Sequence, residues 1–171
     1  MGTYGDQCAT HCHLSRQDQD DFAVRSYVRA REAISAGYFQ REIIPVPVTA
    51  KKQTILVNLD DGPSRFDEAK LRALRPAFSD SGTVTAGNAS SINDGAAALI
   101  LATGDECERR NWKPLARIAG YATHSREPEW FTLAPIDAIR RLLQQLDWSL
   151  ADTDLFEINE AFSCVALAAE R

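Results

Sequence analysis

The longest amphipathic stretch runs over residues 15–36, where Ala23, Tyr27, Ala30 and Ile34 recur at helical spacing on one face. Ser15 followed by Asp18 reads as a capping box with a shortened acid. Asp20 and Asp21 suit the positive end of the helix dipole, and Gly37 stands where a left-handed C-terminal residue is wanted. A helix is therefore expected over 15–36. The apolar run 43–48 carries Pro45 and Pro47, which cannot donate ladder hydrogen bonds, so an edge strand or covering segment is expected there. A second short strand is expected at 55–59, a loop at 60–64, and a short helix over 69–74 that must end at Pro76.

The pattern changes at residue 82. Residues 82–90 are small, polar and glycine-punctuated, a composition that lets backbone approach a ligand or another backbone closely. Apolar runs at 96–102, 115–122 and 154–158 read as strands. Ile136, Ile139, Leu142, Leu143 and Leu146 mark an amphipathic helix with Pro135 in its first turn. Residues 160–169 read as a helix of small apolar residues, with Asn159 placed as its N-cap. Strands alternating with helices indicate an α/β arrangement. No internal repeat or low-complexity linker interrupts it.

Composition narrows the function only slightly. With 171 residues, 44% apolar and 25% charged, the chain has the make-up of an ordinary globular protein and not of a disordered or fibrous one. Its net charge of −5 disfavours a nucleic-acid platform, and no K/R-rich run offsets that. No run of about 18 apolar residues is present, and no basic-then-apolar leader opens the chain, so a cytoplasmic protein with no membrane partner is expected.

Four cysteines are too few for a disulfide scaffold of this length, and reduced thiols are expected. Cys8, His11, Cys12 and His13 invite a metal or haem reading. The Cys-x-x-x-Cys-His spacing misses the haem motif by one, and no second ligand pair follows, so no metal is assigned. Cys107 sits among Glu106, Glu108, Arg109 and Arg110 and reads as a solvated helix residue. The three tryptophans are spread too evenly for a base-stacking platform and read as packing residues.

Three strings carry a family likeness. GTVTAGNASSINDGAAA over 82–98, Leu74-Arg75-Pro76-Ala77-Phe78 before it and Asn159-Glu160-Ala161-Phe162 near the end resemble thiolase motifs at family spacing. The opening Met1-Gly2-Thr3, the 15–36 helix and Ile43-Ile44-Pro45-Val46 are similar in the same order, so the likeness covers nearly the whole chain. Ser91 departs from it by replacing the usual glycine.

The resemblance implies part of a five-layered α/β fold built from two similar halves, with a loop domain inserted in the first half that covers coenzyme A. Residues 1–91 would be the later part of that loop domain. Residues 92–111 would return to the first half and supply its last strand, and 112–171 would begin the second half. The implied chemistry is acyl transfer between coenzyme A thioesters: two acetyl-CoA giving acetoacetyl-CoA, or thiolytic cleavage of a 3-ketoacyl-CoA. Within it Asn159 would hold a water of one oxyanion hole. Ser90 would contact the pantetheine arm, Phe78, Ala86 and Phe162 would line its channel, and Arg65 would meet the adenine or phosphate end, in a loop whose spacing departs from the family's. No permanently bound cofactor is implied. Coenzyme A thioesters are the substrates, and the parent enzyme would be a homodimer or homotetramer.

The same resemblance places the nucleophilic cysteine before Met1, and the Gly-His-Pro histidine and second cysteine beyond Arg171. The expectation is thus a central fragment, inactive alone. A truncated paralogue that binds coenzyme A or partners an intact thiolase is the alternative.

Overall fold

A computed structural model describes residues 1–50 and 53–171. Its core forms where the two ends of the chain meet. Helix α1 (Gly2–His11) lies against helix α7 (Ser163–Ala169) and a 3₁₀ turn over Pro128–Leu133, and Cys8, Ala9, Leu14, Val84, Leu133, Phe162, Cys164, Val165 and Ala168 pack together between them. Two aromatic contacts close its rim: Trp130 meets the His11 ring edge-on at 4.9 Å, and Phe131 meets Tyr4 at 6.5 Å.

Helix α2 (Arg16–Ser35) follows the expected 15–36 span closely. The Ser15 hydroxyl accepts from the Asp18 N–H at 3.0 Å and the Asp18 carboxylate accepts from the Ser15 N–H at 2.8 Å, which completes the capping box. At the other end Gly37 adopts φ 74°, a left-handed conformation that spares the helix end a Cβ clash. Asp20 does more than face the dipole. It is buried, bonded to Arg16 at 2.7 Å and to Asn88 at 2.9 Å, while Asp21 reaches Arg72 at 2.6 Å.

The proline-bearing segment pairs with the second apolar segment expected as a strand. Strand β1 (Val46–Ala50) and strand β2 (Gln53–Val57) form an antiparallel hairpin in the register Val46↔Val57, Pro47↔Leu56 and Val48↔Ile55. Residues 60–64, expected as loop, instead enter the short helix α3 (Asp61–Arg65), where Pro63 falls in the first turn and loses no helical hydrogen bond. Helix α4 (Glu68–Arg72) begins at an Asp67 cap, since the Asp67 carboxylate accepts from the Lys70 N–H at 3.0 Å, and its one buried side chain is Leu71.

Helix α5 (Gly104–Arg110) starts at a Thr103 cap and ends on Asn111 in the left-handed region. Helix α6 (Ala134–Leu146) carries Pro135 in its first turn, as the periodicity predicts, and stops at Asp147 with φ 55°. The three apolar runs expected as strands, 96–102, 115–122 and 154–158, form none. Among the described residues the only ladder is the β1–β2 hairpin, and a strand requires a partner for its backbone groups. Leu99, Ile100, Leu101, Leu115 and Leu155 are consequently exposed. Among the described residues no helix is long and apolar enough to cross a membrane.

Candidate functional site

The loop over residues 82–90 is shaped by buried polar ties. The Asp6 carboxylate accepts from the N–H groups of Thr83 at 2.7 Å and Val84 at 2.9 Å, so the start of the loop is pinned to α1. Gln19, fully buried on α2, donates to the Thr83 hydroxyl at 2.9 Å. Asn88 is the centre of the turn: its side-chain oxygen accepts from Thr85 N–H at 2.8 Å, and its amide donates to Asp20 at 2.9 Å and to the Thr83 carbonyl at 3.1 Å. These bonds satisfy polar groups that burial would otherwise penalise, although Asp6 Oδ2 and Gln19 Oε1 are buried without a hydrogen-bond partner. Gly87 allows the loop to sit on α4, since a Cβ there would come within 2.7 Å of Leu71 Cγ and 2.9 Å of Leu74 Cδ1.

The end of this loop is stitched to the segment before α7. Ser90 N–H donates to the Ala161 carbonyl at 3.0 Å, Ser163 N–H donates to the Asn88 carbonyl at 2.9 Å, and Ala89 and Phe162 form an isolated antiparallel bridge. Two motifs far apart in sequence thus become one piece of backbone. Its outer side is one wall of an open groove of about 920 Å³. Ser90 and Asn159 both line it and both are exposed. Ala23, Ser26, Tyr27 and Ala30 of α2 form a second wall, and Val46, Val48 and Val57 of the hairpin a third.

Among the described residues the charge of this groove is one-sided: Asp60, Asp61, Asp94 and Glu160 line it, and no described lysine, arginine, cysteine or histidine does. Such a surface suits a neutral arm with amide and hydroxyl groups and repels phosphates.

The other residues singled out in the sequence lie elsewhere. Phe162 is buried in the core, Phe78 is half-exposed with its ring flush on Gly2, and Ala86 is exposed outside the groove lining. Arg65 stands on α3, also outside that lining, and pairs with Asp61 at 2.7 Å. Asn159 is not a helix cap, because α7 begins only at Ser163 with Phe162 as its N-cap; the Asn159 carbonyl instead accepts from Ala161 N–H at 2.9 Å. Asn88, Asp20 and Asp6 were missed as site-shaping residues. Their role depends on tertiary partners, although an Asn inside a glycine-flanked turn is itself a local sign.

Two comparisons by sequence and one by structure converge. Residues 1–105 match the thiolase N-terminal domain family and residues 112–171 the thiolase C-terminal domain family. The chain is 45% identical to acetyl-CoA acetyltransferase 2 of Arabidopsis thaliana and 46% identical to the acetyl-CoA acetyltransferase of Paracoccus denitrificans. All of this chain is covered in both cases, against 43% and 44% of those proteins. The crystal structure of the Bacillus anthracis acetyl-CoA acetyltransferase superposes with a TM-score of 0.95 at 39% identity, covering 99% of this chain and 43% of that one. Human mitochondrial 3-ketoacyl-CoA thiolase superposes at 0.90 with 38% identity, covering 98% and 42%. The chain therefore spans less than half the length of the relatives it matches.

Proposed function

The chain belongs to the thiolase family and carries part of its α/β fold, and from that premise we propose that it supplies one wall of the acyl-CoA groove of an acyltransferase. The reaction is acyl transfer between coenzyme A thioesters, forming acetoacetyl-CoA or cleaving a 3-ketoacyl-CoA. One observation carries this reading: the Ser90 loop and the Asn159 segment are bonded into a single wall and open on the same groove.

In this reading Ser90 contacts the pantetheine arm and Asn159 orients a water toward the developing oxyanion. A donor fixed in advance stabilises that charge without reorganising when it appears. The acidic lining keeps the phosphates of coenzyme A out of this part of the groove and leaves the uncharged arm inside it. The nucleophilic thiol and the base lie outside these 171 residues, a reading supported by a groove lining without cysteine or histidine among the described residues. The 171-residue polypeptide alone is accordingly inactive. The gap between the two family matches, at residues 105 and 112, supports a division into first and second halves near there. The parent enzyme acts as a homo-oligomer, in the cytoplasm, and needs no bound cofactor beyond its coenzyme A substrates.

The test is a chimera in which these residues replace the corresponding segment of an acetyl-CoA acetyltransferase. Thiolysis of acetoacetyl-CoA by the chimera, and none by the polypeptide alone, is the expected result. A folded chimera without turnover would overturn the assignment.

A further inference from the structure

Three of the four cysteines gather at one place, away from the groove. Cys8 and Cys164 are each fully buried and both are free thiols, contributed by α1 and α7. The Cys164 sulfur lies 3.5 Å from the Gly5 carbonyl, and the Cys8 sulfur 3.9 Å from the Cys164 carbonyl, so the two thiols interlock across the helix contact. The proximity of the two thiols draws the Cys8 thiol below its ordinary value and pushes Cys164 above it, with burial adding to the second effect. Cys12 caps α1 one turn beyond Cys8, donates its backbone N–H to the Cys8 carbonyl at 2.9 Å, and is only half-buried. Among the described residues no three His, Cys, Asp or Glu side chains are arranged to hold a metal ion. Thiol chemistry is what this cluster can do.

We propose that Cys12, Cys8 and Cys164 form a hydroperoxide-responsive relay that ends in a disulfide between α1 and α7. Cys12 meets the oxidant because it alone of the three reaches solvent. Burial, and secondly the neighbouring Cys8, push the Cys12 thiol above its ordinary value, so it reacts through a minor thiolate fraction, which attacks the O–O bond of the hydroperoxide and gives a sulfenic acid and one water or alcohol. The Cys8 sulfur then displaces the sulfenic oxygen as water, forming a Cys8–Cys12 disulfide. Two thiols have thereby lost two electrons to one hydroperoxide.

That first disulfide is poorly placed. Residues four apart on a helix hold their Cβ atoms about 5–6 Å apart, whereas a disulfide wants about 3.8 Å. The Cys164 sulfur, buried in the same α1–α7 contact as Cys8, attacks the Cys8 sulfur of that disulfide and releases Cys12, to which the Cys164 proton passes. The product joins α7 to α1 and fixes the backbone immediately after the Asn159 segment.

Peptide mapping of the alkylated chain after hydrogen peroxide treatment tests this, with mixed ¹⁴N and ¹⁵N chains separating intramolecular from intermolecular links. The expected result is an intramolecular Cys8–Cys164 link, reversed by dithiothreitol and lost when the chain is oxidised in urea. Cys12→Ser, which leaves both core thiols in place, should slow its formation by about 10-fold. A final Cys8–Cys12 link, an intermolecular link, or no link would overturn the proposal. An unchanged rate in Cys12→Ser would overturn the relay.

Discussion

Ser90 N–H donates to the Ala161 carbonyl at 3.0 Å, and this bond joins the glycine-punctuated loop to the segment that carries Asn159. It explains how two motifs at opposite ends of the second half of the chain face one groove. The bond uses the backbone of Ser90, so its side chain stays exposed at the groove. Around it the Asn88 side chain fixes the turn, and Ser163 N–H closes the same junction from α7.

Asn88→Ala should therefore be costly out of proportion to its size. It removes bonds to a buried carboxylate, a backbone N–H and a carbonyl, and leaves Asp20 and Thr85 N–H without those partners. A loss of about 3 kcal/mol in stability of the chimera is expected, measured by urea unfolding. A change below about 1 kcal/mol would mean that water replaces the amide without penalty.

Gly87→Ala should destabilise the chimera by about 1–3 kcal/mol through overpacking, because the new methyl meets Leu71 and Leu74 on α4 and its junction. Gly87→Ala combined with Leu71→Ala should recover part of that loss, which a double-mutant cycle reads directly. Strict additivity would remove steric contact as the cause.

Asn159→Ala in the active chimera should lower turnover on the order of 10²-fold, as loss of an oxyanion donor does, with little effect on coenzyme A affinity. The separation of kcat from binding is the informative readout. Since Asn159 caps no helix here, the fold gives no reason for the variant to unfold. An unchanged kcat would leave Asn159 without a part in the chemistry.

Acid should loosen the start of α2 through Asp18. The Ser15 hydroxyl, and secondly the Ser15 N–H, hold its carboxyl below the ordinary 3.8. A depressed folded value means the stabilisation is complete above that ordinary value and is lost as pH falls through the lower, folded one. The helical circular dichroism signal should fall in that window by more than it does in Asp18→Asn. Superimposable titrations would show that the capping box contributes nothing to pH dependence.

What the sequence made legible follows from how local each cause is. The capping box Ser15–Asp18, the left-handed Gly37 and the Pro135 helix start are set by neighbours along the chain, and each stands where the pattern places it. Helix α1 escaped the pattern because its buried positions are Gly2, Gly5, Cys8 and Ala9, small residues that leave little hydrophobic periodicity. Ser90 and Asn159 both line the groove, and Phe162 packs in the core with the apolar residues of α1 and Val84. Asp20 looked like a dipole partner because its buried contact, Asn88, is far away in sequence.

The apolar runs without strand partners make the last prediction. Leu99, Ile100 and Leu101 are 88%, 87% and 74% exposed, Leu115 is fully exposed and Leu155 is 89% exposed. The β1–β2 hairpin adds Val46, Ile55 and Leu56, each more than half exposed. Apolar surface of this kind, joined to backbone groups with no ladder partner, favours pairing with another chain. The 171-residue polypeptide on its own should thus elute from size-exclusion chromatography as oligomers or aggregates, and its heat denaturation should be broad. The α1–α7 core and α2 retain helical signal through that transition, because their packing does not depend on the exposed runs. A monodisperse monomer with one sharp melt would show that these apolar segments find partners within the chain.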